Sequence, residues 1–180
     1  MEKSIELTQS QIEVFKNGAT KFIFPINQNV ELIVNDIDKE YGNVLRYKEK
    51  GIDKTNLIDY EDFYLDWSPV QKGDKNIFIK EDFYIDQAFD VNYKFDNSRT
   101  DLSFLRKAEE MNIEQCRFKF EECINIEIFR VQDLKLKDWQ ECGSCLFDSK
   151  KFYNKLMQEF EINRTHKDND YVFLLEFKRN

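Results

Sequence analysis

The residues with the most distinctive chemistry are four cysteines, two of which lie in the segment CGSC at 142–145. The CxxC spacing of Cys142 and Cys145 is typical of zinc sites and of redox-active thiol pairs. A zinc site would need two more soft ligands, for which Cys116, Cys123 and the single histidine, His166, are candidates. Cys116 and Cys123 are seven positions apart and would face opposite sides of one strand. We therefore expect reduced, unliganded cysteines, with neither a metal nor another cofactor.

A second group that could do chemistry is the charged cluster KED at 80–82, which follows the apolar segment NIFI. A Gly-Asp pair at 73–74 predicts a tight turn before this strand. A turn and strand of this kind can hold a carboxylate in a fixed position for acid–base chemistry. The simpler interpretation is a solvated strand end, in which Glu81 pairs with Lys80 or Lys21.

The elements that would position these groups are short helices and many strands. A helix is predicted at 8–18, where Thr8 with Gln11, or Ser10 with Glu13, would form a capping box and Gly18 would follow the last turn. Apolar spacing predicts further helices at 98–112 and 148–160. Strands are predicted at 21–26, 30–34, 42–48, 74–80, 90–96, 117–134 and 171–177, whereas 56–67 has no clean period. This mixture predicts an α+β fold built on a sheet or small barrel.

Composition and charge exclude several classes of protein. The 180 residues fit one domain, and 41% hydrophobic with 15% aromatic content is too high for a disordered chain. No run of 18 apolar residues occurs, and the charged N-terminal segment is unlike a signal peptide, so we expect a cytoplasmic protein with no membrane partner. The net charge is −8, and residues 53–90 alone carry ten acids against four lysines. A broad basic surface for nucleic acid is therefore excluded.

One longer segment resembles a known family. SPVQKGDKNIFIKEDF, at 68–83, is similar to the PY-x-x-GD-x-(apolar)-x-VRETF signature of ASCH-domain proteins, especially the phage and prophage branch. The matching residues are Pro69, Gly73, Asp74, Ile79, Lys80, Glu81 and Phe83, with Asp82 in place of Thr. Three other segments agree in order: 10–26 with the opening helix and GRKT strand, 117–134 with a pair of strands, and 148–179 with the terminal helix and its EFKR strand.

The resemblance implies a fold and a ligand class. It implies a single ASCH/PUA-like domain over 1–180, with a variable acidic insertion around 27–67. The fold would be a PUA-like small mixed β-barrel with peripheral short helices. Such proteins are proposed to bind RNA or modified nucleosides in a cleft beside the barrel. The phage-like branch implies a location in the cytoplasm of a bacterial host.

The same resemblance implies an enzyme as the alternative. Some small bacterial members remove the acetyl group from acetylcytidine, using a Lys and a Thr of the GRKT segment with the Glu of the VRETF strand. Glu81 and Thr20 match two of these positions, but Ala19 occupies the place of the lysine, and Lys21 comes two positions late. On a strand this shift moves the amine by ~7 Å. A nucleoside amidohydrolase would therefore depend on Thr20, Lys21 and Glu81.

Two binding surfaces follow from the remaining residues. In the nucleoside- or RNA-binding module, Trp67 would stack on a base, although a tryptophan covering the end of a barrel is the simpler interpretation. The cations expected near the ligand are Lys80, Arg117, Lys178 and Arg179. The phage-like resemblance and the local negative charge together suggest a third hypothesis, an anti-defence inhibitor that binds a basic host protein through an acidic aromatic face. Its acidic residues would be Asp59, Glu61, Asp62 and Asp66.

Overall fold

The structure is a computed structural model that describes residues 2–25, 30–38, 42–49, 52–56, 65, 68–96, 105–142, 149–160 and 171–179. Its strands are β1 (Ser4–Glu6), β2 (Lys21–Pro25), β3 (Val30–Asp38), β4 (Gly42–Glu49), β5 (Ile52–Asn56), β6 (Lys75–Lys80), β7 (Phe83–Ile85), β8 (Val91–Tyr93), β9 (Leu105–Arg106), β10 (Phe118–Arg130) and β11 (Tyr171–Lys178). Its helices are α1 (Gln9–Lys16), α2 (Leu136–Glu141) and α3 (Ser149–Glu159), with 3-10 turns at Lys94–Asp96, Ala108–Glu110, Ile113–Gln115 and Val131–Asp133.

The main sheet has five strands in the order β1-β6-β10-β11-β2. β1 pairs in parallel with β6, and the other neighbours are antiparallel. Antiparallel three-stranded sheets are formed by β3-β4-β5 and by β8-β7-β9. The predicted α+β class is confirmed. Within the described strands β1 and β2 do not pair, so the main sheet is not closed into a barrel there. No helix in the described part is long and apolar enough to cross a membrane.

β2 and β11 are buried on both faces of the main sheet, which explains their apolar runs, whereas β10 has exposed residues such as Lys119 and Glu127 on one face. One face packs against α1 and contains Phe22, Phe24, Phe120 and Phe177. The rings of Phe120 and Phe177 are stacked with their centroids 4.0 Å apart. The other face packs against α2, α3 and the Val131–Asp133 turn. This second cluster comprises Ile23, Val131, Leu134, Trp139, Leu156, Met157, Val172 and Leu174. Because neighbouring residues of β2 and β11 point to opposite faces, each strand contributes to both cores.

Helix α1 begins and ends as its sequence predicts. Of the two predicted capping boxes, the one formed is Thr8 with Gln11: the Gln11 amide donates to Thr8 Oγ1 at 3.3 Å, and the Thr8 amide donates to Gln11 Oε1 at 3.1 Å. Gly18 follows the helix with φ 100°, a conformation that favours glycine. Gln11 Nε2 also donates to the Ile23 carbonyl at 2.9 Å, which fixes the buried side of the helix to β2.

The predicted helix at 98–112 is wrong in the described part. Residues 105–112 are not helical: Leu105 pairs with Tyr84 across β9 and β7, and a 3-10 turn follows at Ala108–Glu110. Strand pairing there overrides the weak helical spacing.

The strand predicted at 117–134 is observed as β10, which ends at Arg130 and is followed by the Val131–Asp133 turn. The resemblance implies a pair of strands here, whereas β10 is one strand with a register shift between Cys123 and Asn125.

The predicted turn before β6 is tied to β10. Gly73 has φ 90°, its amide donates to the Cys123 carbonyl at 2.8 Å, and the Cys123 amide donates to the Asp74 carbonyl at 2.9 Å. The Asp74 carboxylate accepts from the Gln71 amide at 2.7 Å. These bonds fix where β6 begins. Because β6 ends at Lys80, they also fix the position of the next residue, Glu81.

We expect Gly73→Ala to lower the free energy of unfolding by about 1–2 kcal/mol, because the left-handed conformation is unfavourable for any residue with a Cβ. A Cβ at this position would have no heavy atom within 4 Å, so the loss would come from backbone conformation alone. Asn76, at φ 51°, provides the opposite control, since Asn76→Gly removes a Cβ from a similar conformation. Urea unfolding followed by circular dichroism would measure both; equal losses in the two variants would contradict this explanation.

Candidate functional site

Glu81 is buried and forms a bidentate ion pair with Arg117. Arg117 Nε donates to Glu81 Oε1 at 2.7 Å, and Nη2 donates to Oε2 at 2.9 Å. The Glu81 side chain is 3% exposed and that of Arg117 is 18% exposed. Phe118 pairs with Ile79, so the residue just before β10 lies beside the residues just after β6. The pairing register therefore brings these two charges together, and the partner of Glu81 is Arg117 rather than Lys80 or Lys21.

The ion pair is part of a larger network that is neutral overall. Arg117 Nη1 also donates to an Asp96 oxygen, and Lys16 Nζ donates to the other Asp96 oxygen at 3.1 Å. The guanidinium group of Arg117 lies 4.0 Å from the ring centroid of Tyr93 and 4.7 Å from that of Phe118. Two acids and two bases thus join α1, β6, β10 and the Lys94–Asp96 turn. This network is unlike the solvated strand end that the sequence also allowed.

The electrostatics of the network follow from its burial. Burial raises the pKa of Glu81 above its usual value, while the hydrogen bonds and charge of Arg117 act in the opposite direction. The hydrogen bond from Arg117 lowers the pKa of Asp96. Arg117 donates to both oxygens of Glu81 and the Glu81 side chain is only 3% exposed, so a substrate does not reach this carboxylate in the present arrangement.

Thr20 and Lys21 lie at a different place from Glu81. They border a cavity of 320 Å³ with Gly18, Ala19 and Glu141. Lys21 Nζ forms an ion pair with Glu141 Oε2 at 2.9 Å, and that hydrogen bond raises the pKa of Lys21. Among the residues the structure describes, no hydrogen bond or ion pair links Glu81 to Thr20 or Lys21. Lys21 pairs with Glu176, which pairs with Asn125, whereas Ile79 pairs with Phe118, so Lys21 and Glu81 lie at different levels along β10.

The predicted ligand cations do not form one surface. Lys178 pairs with Glu121 at 2.8 Å. Arg179 donates to the carbonyls of Phe15 and Ala19 at 2.6 and 3.2 Å, so it satisfies groups at the C-terminal end of α1. Lys80 lies near Glu6; burial raises the pKa of Glu6, and the charge of Lys80 opposes that shift. Trp67 and the acidic residues Asp59, Glu61, Asp62 and Asp66 lie outside the described residues.

A second cavity, of 290 Å³, lies between the N-terminal end of α1, the C-terminal end of α3 and the segments around 82, 94 and 108. Its charged residues are Glu6, Asp82, Lys94, Lys107, Glu109 and Glu159, and its apolar wall includes Leu7 and Phe160. Asp82 accepts from Lys94 Nζ at 3.2 Å and from the Ala108 amide at 3.1 Å. Thr8 Oγ1 donates to Glu159 at 3.2 Å. The Asp82 and Glu159 side chains at the border of the cavity are thus held in place by hydrogen bonds to other residues.

Sequence reasoning missed this cavity because its members come from five distant segments. One local signal was present: Asp82 places a carboxylate where the ASCH signature has Thr. Glu81, the preceding residue, does not line the cavity. Burial, followed by the charge of Glu109, raises the pKa of Glu6. The lining itself contains four carboxylates and two lysines.

The cysteines form no metal centre in the part of the chain that is described. No group of three or more His, Cys, Asp or Glu side chains there could hold a metal ion, and Cys116, Cys123 and Cys142 are free thiols. Cys145 and His166 lie outside the described residues. Burial raises the pKa of Cys123 to about 11.

Comparison of the chain with family models, with curated proteins and with solved structures finds no match. The candidate sites are therefore characterised by their own geometry.

We expect Arg117→Ala to lower the free energy of unfolding by about 3–5 kcal/mol, because it leaves the Glu81 carboxylate buried without its partner. Lys178→Ala breaks an exposed pair and should leave the free energy of unfolding almost unchanged. The double change Glu81→Leu with Arg117→Leu removes both charges and should be milder than Arg117→Ala. Urea unfolding measures all three. A loss in Arg117→Ala no larger than in Lys178→Ala would contradict a structural role for the pair.

We also expect Cys123 to react slowly with iodoacetamide. With its pKa at about 11, roughly one in a thousand molecules carries the thiolate at pH 8, against about one in ten for a thiol of pKa 9.0. Alkylation of Cys123 in the folded chain should therefore be at least about 100-fold slower than in urea. Peptide mass spectrometry measures both rates, with the partly exposed Cys116 as the internal control. Similar folded-state rates at the two cysteines would show that Cys123 is not protected.

Proposed function

We propose that this chain is an ASCH-like module on a PUA-like barrel that binds a modified nucleoside, or the exposed base of a short RNA, without strong catalysis. The observation that carries the proposal is the 290 Å³ cavity bordered by Glu6, Asp82 and Glu109. Its volume is close to the lower end of the range for small-molecule pockets, about 300–1,000 Å³. The resemblance at 68–83 supports the same ligand class.

The side chains of the cavity suit the edge of a nucleobase. Carboxylates accept hydrogen bonds from exocyclic amino groups and ring N–H groups, and Glu/Asp pairing with the cytosine amino group is a known mode of base recognition. Leu7 and Phe160 supply apolar surface for the flat faces of a base. Lys94 and Lys107 provide donors for carbonyl oxygens. These three kinds of contact together fit a small planar ligand with both donors and acceptors.

The charge of the cavity favours a nucleoside over a long nucleic acid. Four carboxylates, Glu6, Asp82, Glu109 and Glu159, face two lysines. A strand of RNA carries a phosphate at every nucleotide, and its binding normally depends on clustered cations. The other predicted cations, Arg117, Lys178 and Arg179, have acidic or carbonyl partners. A ligand with little or no negative charge therefore fits this site better.

The amidohydrolase remains the alternative proposal. It requires Glu81 to leave Arg117 and Lys21 to leave Glu141, since both ion pairs hold the reactive groups away from one another. Breaking the buried pair would leave an unpaired charge, which is unfavourable by about 3–5 kcal/mol. Binding without turnover needs neither change.

We expect cytidine and acetylcytidine to bind to the purified chain, as measured by isothermal titration calorimetry. Glu109→Gln should weaken binding about tenfold, since a lost hydrogen bond to a charged group contributes about 1.5 kcal/mol. Glu114→Gln is the matched control, because Glu114 is an exposed glutamate on the next 3-10 turn and does not line the cavity. Neither nucleoside should be consumed.

Three results would decide against the proposal. Absence of heat with both nucleosides at millimolar concentration would show that the cavity does not take this class of ligand. Equal weakening by Glu109→Gln and Glu114→Gln would place any binding elsewhere. Release of acetate from acetylcytidine, lost in Glu81→Gln, would establish the amidohydrolase instead.

A further inference from the structure

The hairpin of β7 and β8 has an unusual residue at its tip. Ile85 pairs with Val91, the Asp86 amide donates to the Asp90 carbonyl at 3.1 Å, and the Phe89 amide donates to the Asp86 carbonyl at 3.0 Å. The loop therefore contains three residues, 87–89. Three-residue hairpin loops typically end in a residue in the left-handed conformation, and glycine is the usual choice because it has no Cβ.

Phe89 occupies this glycine position. Its φ is 64°, and the residue is 87% exposed. A bulky residue in the left-handed region is a true conformational outlier, and such strain persists where the surroundings impose it. A fully exposed phenylalanine gains little from folding, since its apolar surface stays in water. Neither the backbone conformation nor the packing of the described residues explains why this position is aromatic.

The loop that holds Phe89 is well ordered by one carboxylate. Asp86 Oδ1 accepts from the Ala88 and Asp90 amides, both at 2.9 Å, and Oδ2 accepts from Asn92 Nδ2 at 3.1 Å. These three bonds define the backbone of the tip, and with it the position of the Phe89 Cα–Cβ bond. A loop that is already ordered loses little backbone entropy when its side chain inserts into a partner.

We propose that Phe89 is the anchor of a protein-binding surface, and that it inserts into an apolar pocket with a cationic rim on the partner protein. Glu81 and Asp82 pair with Arg117 and Lys94, so they add little to the charge of this surface. No lysine or arginine lies within 83–93, and Asp86 and Asp90 flank the tip. Their charge repels phosphates and anionic lipid headgroups and attracts basic side chains. An aromatic residue surrounded by polar groups is the typical centre of a protein interface.

This surface is independent of the proposed nucleoside cavity. None of the residues 85–91 lines that cavity, and the two sites can be tested by separate variants. It also differs from the acidic segment 59–66, which lies outside the described residues. The geometry of the hairpin tip, which could not be predicted from the sequence, therefore favours the binding of a protein partner.

The first test compares stability with binding. Phe89→Gly should raise the melting temperature by about 2–4 °C, because glycine adopts the left-handed conformation without strain. Phe89→Asn also tolerates this conformation and keeps a polar side chain in place of the aromatic ring. A fall in melting temperature in both variants would show that the ring stabilises the fold, which would overturn the proposal.

The second test identifies the partner with a photo-crosslinking amino acid, p-benzoyl-phenylalanine, placed at position 89 in the full chain. The control places it at position 136, where Leu136 is 42% exposed on α2. After irradiation in a lysate of the cells that express the chain, a protein crosslinked from position 89 but not from 136 is identified and purified. Its affinity is then measured for the unmodified chain, Phe89→Asn and Asp90→Lys.

The proposal expects Phe89→Asn to weaken binding of the purified partner at least tenfold. Asp90→Lys should also weaken it, with an effect that shrinks as salt concentration rises. Three results would overturn it: no crosslinked protein specific to position 89, a partner whose affinity is unchanged by Phe89→Asn, or an adduct at position 89 that is RNA.

Discussion

The arrangement of the main sheet where β6 ends and β10 begins depends on the ion pair between Glu81 and Arg117. A carboxylate that is almost completely removed from water needs a partner in good geometry, and the planar guanidinium group supplies two parallel hydrogen bonds. That requirement fixes the end of β6 against the start of β10. Asp96 and Lys16 extend the same requirement to α1, so one buried charge orders four separate segments.

The distribution of charge gives the two sides of this region different properties. On the Glu81 side, Glu81 and Asp96 both pair with cations, and this network is neutral. Beyond Asp82, carboxylates outnumber lysines around an open cavity. Of the two adjacent acids, Glu81 thus belongs to a buried ion pair and Asp82 to the border of a cavity. The Lys-Glu-Asp cluster is therefore not a plain solvated strand end.

The elements that could be predicted from the sequence are those determined by neighbouring residues. The Thr8–Gln11 capping box, Gly18 after α1, the helix at Ser149–Glu159 and the strand at Tyr171–Lys178 were all predicted from their residues, and the turn at Gly73 was as well. The errors arise where distant contacts decide. Leu105 is a strand residue because of Tyr84, and the partner of Glu81 depends on the register of Phe118 with Ile79. The cavity could not be predicted because it requires the tertiary arrangement.

The position of β11 between β10 and β2 has a consequence for synthesis on the ribosome. The described part gives β2 only one neighbour in the main sheet, and Phe24 pairs with Phe173. The early apolar residues Phe22, Ile23 and Phe24 therefore have no strand to join until 171–178 have emerged. Such long-range pairing slows folding, and unpaired apolar strands aggregate. Residues 21–25 are therefore exposed to aggregation while the chain is being synthesised.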